Sequence, residues 1–411
     1  MGRGRRKSGP QLSSPEAKRD AETVALINDI LLEEPRDVIR LRKLVAVRGI
    51  PSHQLRTRVW PLLLGLPESL GLNSSVQESQ EEQGGALTAA EKRDLQVIAC
   101  DLDRSLWAFT EGWTEEARAL KRLALRRVLL RALRYQDDVW YYQGLHDVAS
   151  VLLFTLGEAG GAAMLSQLVV THLRDATRPD LLAATQTLGL LYPLLRAADP
   201  QLYTHLLSLD EPALEVPFFA LSWHLTWFAH DVADLNQICR LFDLFLASHP
   251  LMPLYLAAVA VKSCRQAVFA CGSDGPAVYA ALKGLKVLSP SGPGADALAR
   301  DAAALYRAVP PSALRYLDLG QAVTPDAYLV QGLWKVPAQP LDRTQGIKAA
   351  RATILRLRAT FLPQLRGSSP GARRKRRSAA VVAVLSSLTS IAALGAAILL
   401  IQGQRAWPGP V

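Results

Sequence analysis

Apolar residues recur at intervals of three and four along most of this chain, and few segments alternate with the period of two that strands require. The pattern predicts an all-α protein. A capping serine and a first-turn proline, Ser14-Pro15, open a helical stretch that continues in segments to Leu64. Residues 65–87, GLPESLGLNSSVQESQEEQGGAL, break the periodicity with Gly, Ser, Glu and Gln and are expected to form a flexible loop. Thr88 and Glu91 have the spacing of a capping box, and the helix they open carries Leu95, Ile98, Leu102 and Leu106 on one face. Further helices are predicted at 115–134, 145–157, 160–175, 180–196, 218–230, 234–248 and 252–270. Beyond them, Pro310, Pro311, Gly320, Pro337 and Pro340 interrupt a weaker helical extension.

A different pattern governs residues 379–401, AAVVAVLSSLTSIAALGAAILLI, which hold no charge in 23 residues. A helix of about 20 residues crosses a bilayer, so this segment is expected to be a single transmembrane helix. The basic block Arg373–Arg377 precedes it and only Arg405 follows, which places the long N-terminal part in the cytosol. With residues 402–411 as a short lumenal tail, the expected topology is a tail anchor. The span is rich in Ala and only moderately apolar, which suits the thinner early secretory membranes, the endoplasmic reticulum or the Golgi, better than the plasma membrane; the mitochondrial outer membrane ranks second because the short tail carries so little positive charge. The opening MGRGRRKSGP has no apolar stretch of a secretory signal.

Charge changes the picture less than its size suggests. The net charge is +10, but five consecutive basic residues before the span carry half of it, so nucleic acid is not the expected partner. The basic run from Lys121 to Arg134 is read as a solvated helix, because Glu115 and Glu116 at its start and arginines at its end match the helix dipole. Cys100, Cys239, Cys264 and Cys271 have no paired spacing and read as small apolar residues in a reducing compartment. No metal-binding spacing and no Walker string occurs. The expected organisation is a disordered basic tail at 1–20, a helical domain at 21–270, a helical extension at 271–340 and a basic tether at 341–377.

Three short strings carry the candidate chemistry: Arg56-Thr57-Arg58-Val59-Trp60, Ile98-Ala99-Cys100-Asp101-Leu102-Asp103-Arg104, and Tyr142-Gln143-Gly144. Read together and in this order, they resemble the R-x-x-V-W, I-x-x-D-x-x-R and Y-Q-G signatures of the TBC-domain family of Rab GTPase-activating proteins. The resemblance implies a two-lobed helical domain in which Arg104 serves as an arginine finger and Gln143 positions water. Asp101 would hold Arg104 one turn away, Tyr142, Gly144 and Asp147 would support the glutamine turn, and Arg56 and Trp60 would orient the first helices. GTP and Mg²⁺ would arrive with a Rab, of endoplasmic reticulum to Golgi traffic by the same resemblance, and the chain would need no cofactor of its own. His146 is read as hydrogen-bonded scaffold. Asp103 either adds negative charge near the phosphate or faces solvent. Trp223 and Trp227 are either core or a partner groove. The contrasting expectation is a catalytically silent, membrane-anchored scaffold with the same fold.

Overall fold

A computed structural model describes residues 14–71, 89–134, 139–178, 181–288 and 294–311, all within one compact unit. The transmembrane segment expected at 379–401, the tether expected at 341–377, residues 1–13, residues 402–411 and the expected Thr88 cap lie outside the described residues. Among the described residues the regular structure is wholly helical.

Helix α1 spans Pro15–Leu32, and the Ser14 hydroxyl accepts from the Ala17 amide to satisfy one of its orphan donors. Residues 15–20, expected to close a disordered tail, are instead its first turns. Asp37 caps α2 (Val38–Arg48) and Ser52 caps α3 (His53–Leu63) in the same way. Of the loop expected at 65–87, residues 68–71 form a 3₁₀ turn tied back to the helices. Glu68 accepts from Arg58 at 2.6 Å and pairs with Arg36 at 2.8 Å.

Helix α4 spans Ala89–Asp103, α5 spans Glu115–Leu133, and α6 spans Leu145–Val170 with a break at Gly157, whose φ is +71°. That break falls between the two helices expected at 145–157 and 160–175, and the second ends at Val170, short of its expected end. By length and composition α6 is apolar enough to cross a membrane, yet it is mostly buried against α5, α3 and neighbouring elements, as a core helix is. The helix expected at 180–196 is two, α7 (Leu182–Leu188) and α8 (Leu191–Ala198). Then comes an unexpected one, α9 (Pro200–Ser208), capped by Asp199 with Pro200 in its first turn.

Helix α10 is a short Leu221–Thr226, and α11 is Leu235–Ala247. The helix expected at 252–270 turns at Cys264 into α12 (Met252–Ser263) and α13 (Arg265–Ala270). Every residue of α12 from Met252 to Val261 is buried, with α8, α10 and α15 around it. Helices α14 (Gly275–Lys283) and α15 (Ala295–Ala308) follow. In the extension expected at 271–340, α15 packs on α12, α11 and α2, and Tyr255 donates to the Val309 carbonyl at 2.7 Å. Its buried stripe is Leu298, Ala299, Ala302 and Ala303.

The buried apolar side chains of the described residues, from Ile27 to Ala302, form one continuous cluster. Trp223 and Trp227 lie in this core, which decides between the two readings of that pair. Trp227 meets Phe242 and Phe245 edge-on, each at 5.4 Å.

Arg56 and Trp60 of α3 converge on one carboxylate at the centre. Asp243 of α11, fully buried, accepts from Arg56 Nε at 3.0 Å and Nη2 at 2.9 Å, from Trp60 Nε1 at 2.7 Å, and from the Ile50 amide at 2.9 Å. A buried carboxylate is tolerable only when its lone pairs are filled, and here four donors fill them. Arg56 and Trp60 of the first string thus clamp α3 to α11.

Candidate functional site

The site assembles from three segments: the end of α4, the turn at 141–147, and the loop after α10. On α4 the residues Ile98 and Leu102, with Leu106 just beyond, enter the core, while Leu95 is half-buried. That packing fixes the rotation of the helix, and Arg104 emerges past its last residue on the exposed side. Its guanidinium Nη2 donates to Asp101 Oδ1 at 2.5 Å, yet 44% of the side chain remains accessible.

Asp101 is only 2% exposed. Its second oxygen accepts from the Tyr141 hydroxyl at 2.6 Å and lies 3.3 Å from His146 Nδ1. Burial works against its ionisation, but the donors His146, Tyr141 and Arg104 outweigh it and hold the carboxyl below its ordinary value of 3.8. Asp101 is thus a charged anchor that grips one edge of the Arg104 fork, and an Arg fork has edges to spare.

The same aspartate ties α4 to the glutamine turn, since Tyr141 and His146 lie on either side of Gln143. Tyr142 is buried and donates to the Leu225 carbonyl at 2.8 Å, and burial pushes its phenol well up, so it stays neutral. Gly144 begins α6 with φ +104°, and a Cβ there would meet Thr226 Cγ2 at 2.9 Å. Positive φ and close approach are both demands that only glycine meets freely. Between these two fixed residues Gln143 is exposed.

Asp147, in the first turn of α6, faces two histidines. Its Oδ1 lies 3.3 Å from His146 Nε2, and its Oδ2 lies 3.3 Å from His230 Nδ1. His146 is buried among these partners, as a scaffold residue would be. Asp103 is exposed. His230 and Tyr141 belong to the arrangement although no motif marks them. For Tyr141 the only sequence signal is adjacency to Tyr142, and for His230 it is a polar ring two residues after the buried pair Trp227-Phe228.

Arg104, Gln143 and His230 are thus exposed side chains, Arg104 held by buried Asp101, Gln143 between buried Tyr142 and Gly144, and His230 beside the partly buried Asp147. Among the described residues no group of three or more His, Cys, Asp or Glu could hold a metal ion. Such a surface suits chemistry completed on another macromolecule.

Comparison with known proteins points the same way. Residues 53–269 match the family model of the Rab-GTPase-TBC domain. The chain is 32% identical to TBC1 domain family member 20 of Homo sapiens over 356 residues, covering 82% of this chain and 84% of that protein. It is 33% identical over 220 residues to the GTPase-activating protein gyp10 of Schizosaccharomyces pombe, covering 54% of this chain and 55% of that one. The crystal structure of the Ypt/Rab-GAP domain of Gyp1p superposes with a TM-score of 0.54 at 16% identity, over 72% of this chain and 99% of that domain, a likeness of fold alone. With a family model over more than half of its length and a relative aligned over most of both chains, this protein belongs to the Rab-GTPase-TBC domain family.

Proposed function

We propose that the chain is a GTPase-activating protein for a Rab-type small GTPase and that it inserts Arg104 into the partner's nucleotide site while Gln143 positions the attacking water. The observation that carries this reading is the half-free guanidinium of Arg104, gripped on one edge by buried Asp101 and bonded through Tyr141 to the turn that displays Gln143. Hydrolysis of GTP spreads negative charge over the departing phosphoryl oxygens, and an arginine supplied in trans is worth about 10³–10⁵ in rate. A planar fork already oriented before the encounter loses little freedom on binding and stabilises charge that develops only in the transition state. A glutamine amide both accepts from water and donates to an oxygen, which is the positioning role. GTP and Mg²⁺ come with the partner in this reading. The charge-free segment 379–401 would hold the domain against a bilayer, with the endoplasmic reticulum or Golgi membrane favoured, so that the substrate is a Rab of that traffic.

Single-turnover GTP hydrolysis by a panel of Rabs, with the full chain in detergent micelles, tests this. Arg104→Ala and Gln143→Ala are each expected to lower the stimulated rate by about a thousandfold while moving the thermal midpoint by no more than a few degrees. Undiminished acceleration by both variants would remove the mechanism, and tight Rab binding without acceleration by the wild type would leave the silent scaffold.

A further inference from the structure

We propose that His230 is a third contact of this surface with the GTPase, its ring anchored through Nδ1 on Asp147 and donating from Nε2 to an anionic oxygen of the GTPase–nucleotide complex. The proposal rests on the GTPase-activating reading above and adds a residue to it. Three observations carry it, and the first is display. The His230 side chain is 62% exposed although its Nδ1 lies 3.3 Å from Asp147 Oδ2, so one ring edge is held and the other is open to a partner.

The second observation is backbone strain beneath it. Trp227 and Phe228, at φ +52° and +66°, are two successive bulky residues in the left-handed region, which non-glycine residues rarely adopt. Both side chains are buried in the aromatic core, and the His230 amide donates to Thr226 Oγ1 at 3.3 Å. A tight reversal pinned by two buried rings puts His230 on a rigid mount, the condition for a preorganised contact.

The third is continuity with the site. Asp147 joins His230 to His146, His146 meets Asp101, and Asp101 holds Arg104. Thr226, at the base of the same loop, is the residue that a side chain at position 144 would strike. The loop after α10 and the glutamine turn are therefore one packed unit.

The charged groups around His230 come from each neighbouring element: Asp147 from α6, Asp231 from its own loop, Arg104 beyond α4, and Lys283 of α14 acting on Asp231. The Asp147 carboxylate, 3.3 Å away, with help from Asp231, holds its proton more tightly than the ordinary histidine value of 6.5, against burial and the Arg104 charge. The cation is present below that raised value and disappears as pH rises through it.

The test is GTP hydrolysis by the responsive Rab with the full chain in micelles, from about pH 6 to about pH 9, comparing wild type, His230→Gln, His230→Arg and Arg104→Ala. In the wild type kcat/KM is expected to fall toward alkaline pH. His230→Gln is expected to lose about tenfold at the acid end and to flatten that fall, and His230→Arg to restore the rate without it. A loss in kcat assigns the oxygen to the transferring phosphate, and a rise in KM assigns it to a carboxylate of the GTPase. A purely structural histidine would lower the thermal midpoint of both variants and would not be rescued by arginine. If His230→Gln keeps the wild-type rate and pH slope while Arg104→Ala is inactive, the contact is overturned and the GTPase-activating reading stands. If Arg104→Ala keeps its activity, that reading fails and the contact falls with it.

Discussion

Two buried aspartates, each holding an arginine, organise opposite kinds of region in this domain. Asp243 faces inward: its Arg56 partner is 8% exposed, the contact is bidentate, and Trp60 and the Ile50 amide occupy the remaining lone pairs. Asp101 is nearly as buried, yet its arginine touches it through one nitrogen and stays 44% exposed. The Coulomb attraction is the same in kind, and the difference lies in which groups are left over. Where every donor and acceptor is satisfied, the pair is a fastener. Where the arginine keeps unsatisfied donors aimed outward from a satisfied base, it is a tool held in a clamp.

The comparison breaks most visibly on stability. Asp243→Ala strands a buried guanidinium and an indole N–H, and is expected to lower the unfolding free energy by about 3–5 kcal/mol. Arg104→Ala removes a half-exposed partner from an aspartate that still has two donors, and should cost about 1 kcal/mol or less. Urea denaturation of the two variants measures both. Equal losses would erase the distinction between fastener and tool.

How much of this was legible in sequence follows from the range of the interactions. The stripe of Ile98, Leu102 and Leu106 placed Arg104 on the outside because helix periodicity is a local property, and the Asp101–Arg104 contact needs only one turn. Asp243 had no such signal. It stands alone in LNQICRLFDLFLA, and its partner Arg56 is 187 residues away, so the pairing exists only after α3 and α11 have packed. Helix α15 read as a weak extension because its buried stripe is mostly alanine, whose small apolar surface hardly registers in a pattern although it allows close approach to α12. Helix α9 did carry a signal, Asp199 before Pro200, that the apolar pattern around it obscured. His230 depends on two left-handed residues whose conformation no residue type announces.

A smaller effect sharpens the comparison from the glutamine side. Gly144→Ala asks an L-residue to hold φ +104° and sets its Cβ 2.9 Å from Thr226 Cγ2, so about 1–3 kcal/mol of stability should be lost. Because the strain falls on the turn that displays Gln143, stimulated GTP hydrolysis should fall further than stability alone explains. Adding Thr226→Ser, which removes the opposing methyl, should recover part of the stability and leave the φ strain. Full recovery would assign the whole effect to the clash, and no recovery would assign it to the backbone.

The smallest effect is the most specific to the clamp. Asp101 has its carboxyl depressed below 3.8 in the folded state, so the unfolded chain binds the proton more tightly. Its contribution to stability is therefore complete above that value and is lost as pH falls through the lower, folded one. Asp101→Asn keeps the shape but cannot accept as an anion, so wild type and variant should differ in stability near about pH 6 and converge toward about pH 2. The same substitution should loosen Arg104 without removing it, lowering stimulated hydrolysis by less than Arg104→Ala does. A stability gap that stays constant down the acid range would mean that Asp101 acts through packing rather than charge. The fork of Arg104 would then have no ionic grip beneath it, and its orientation would have to come from the partner.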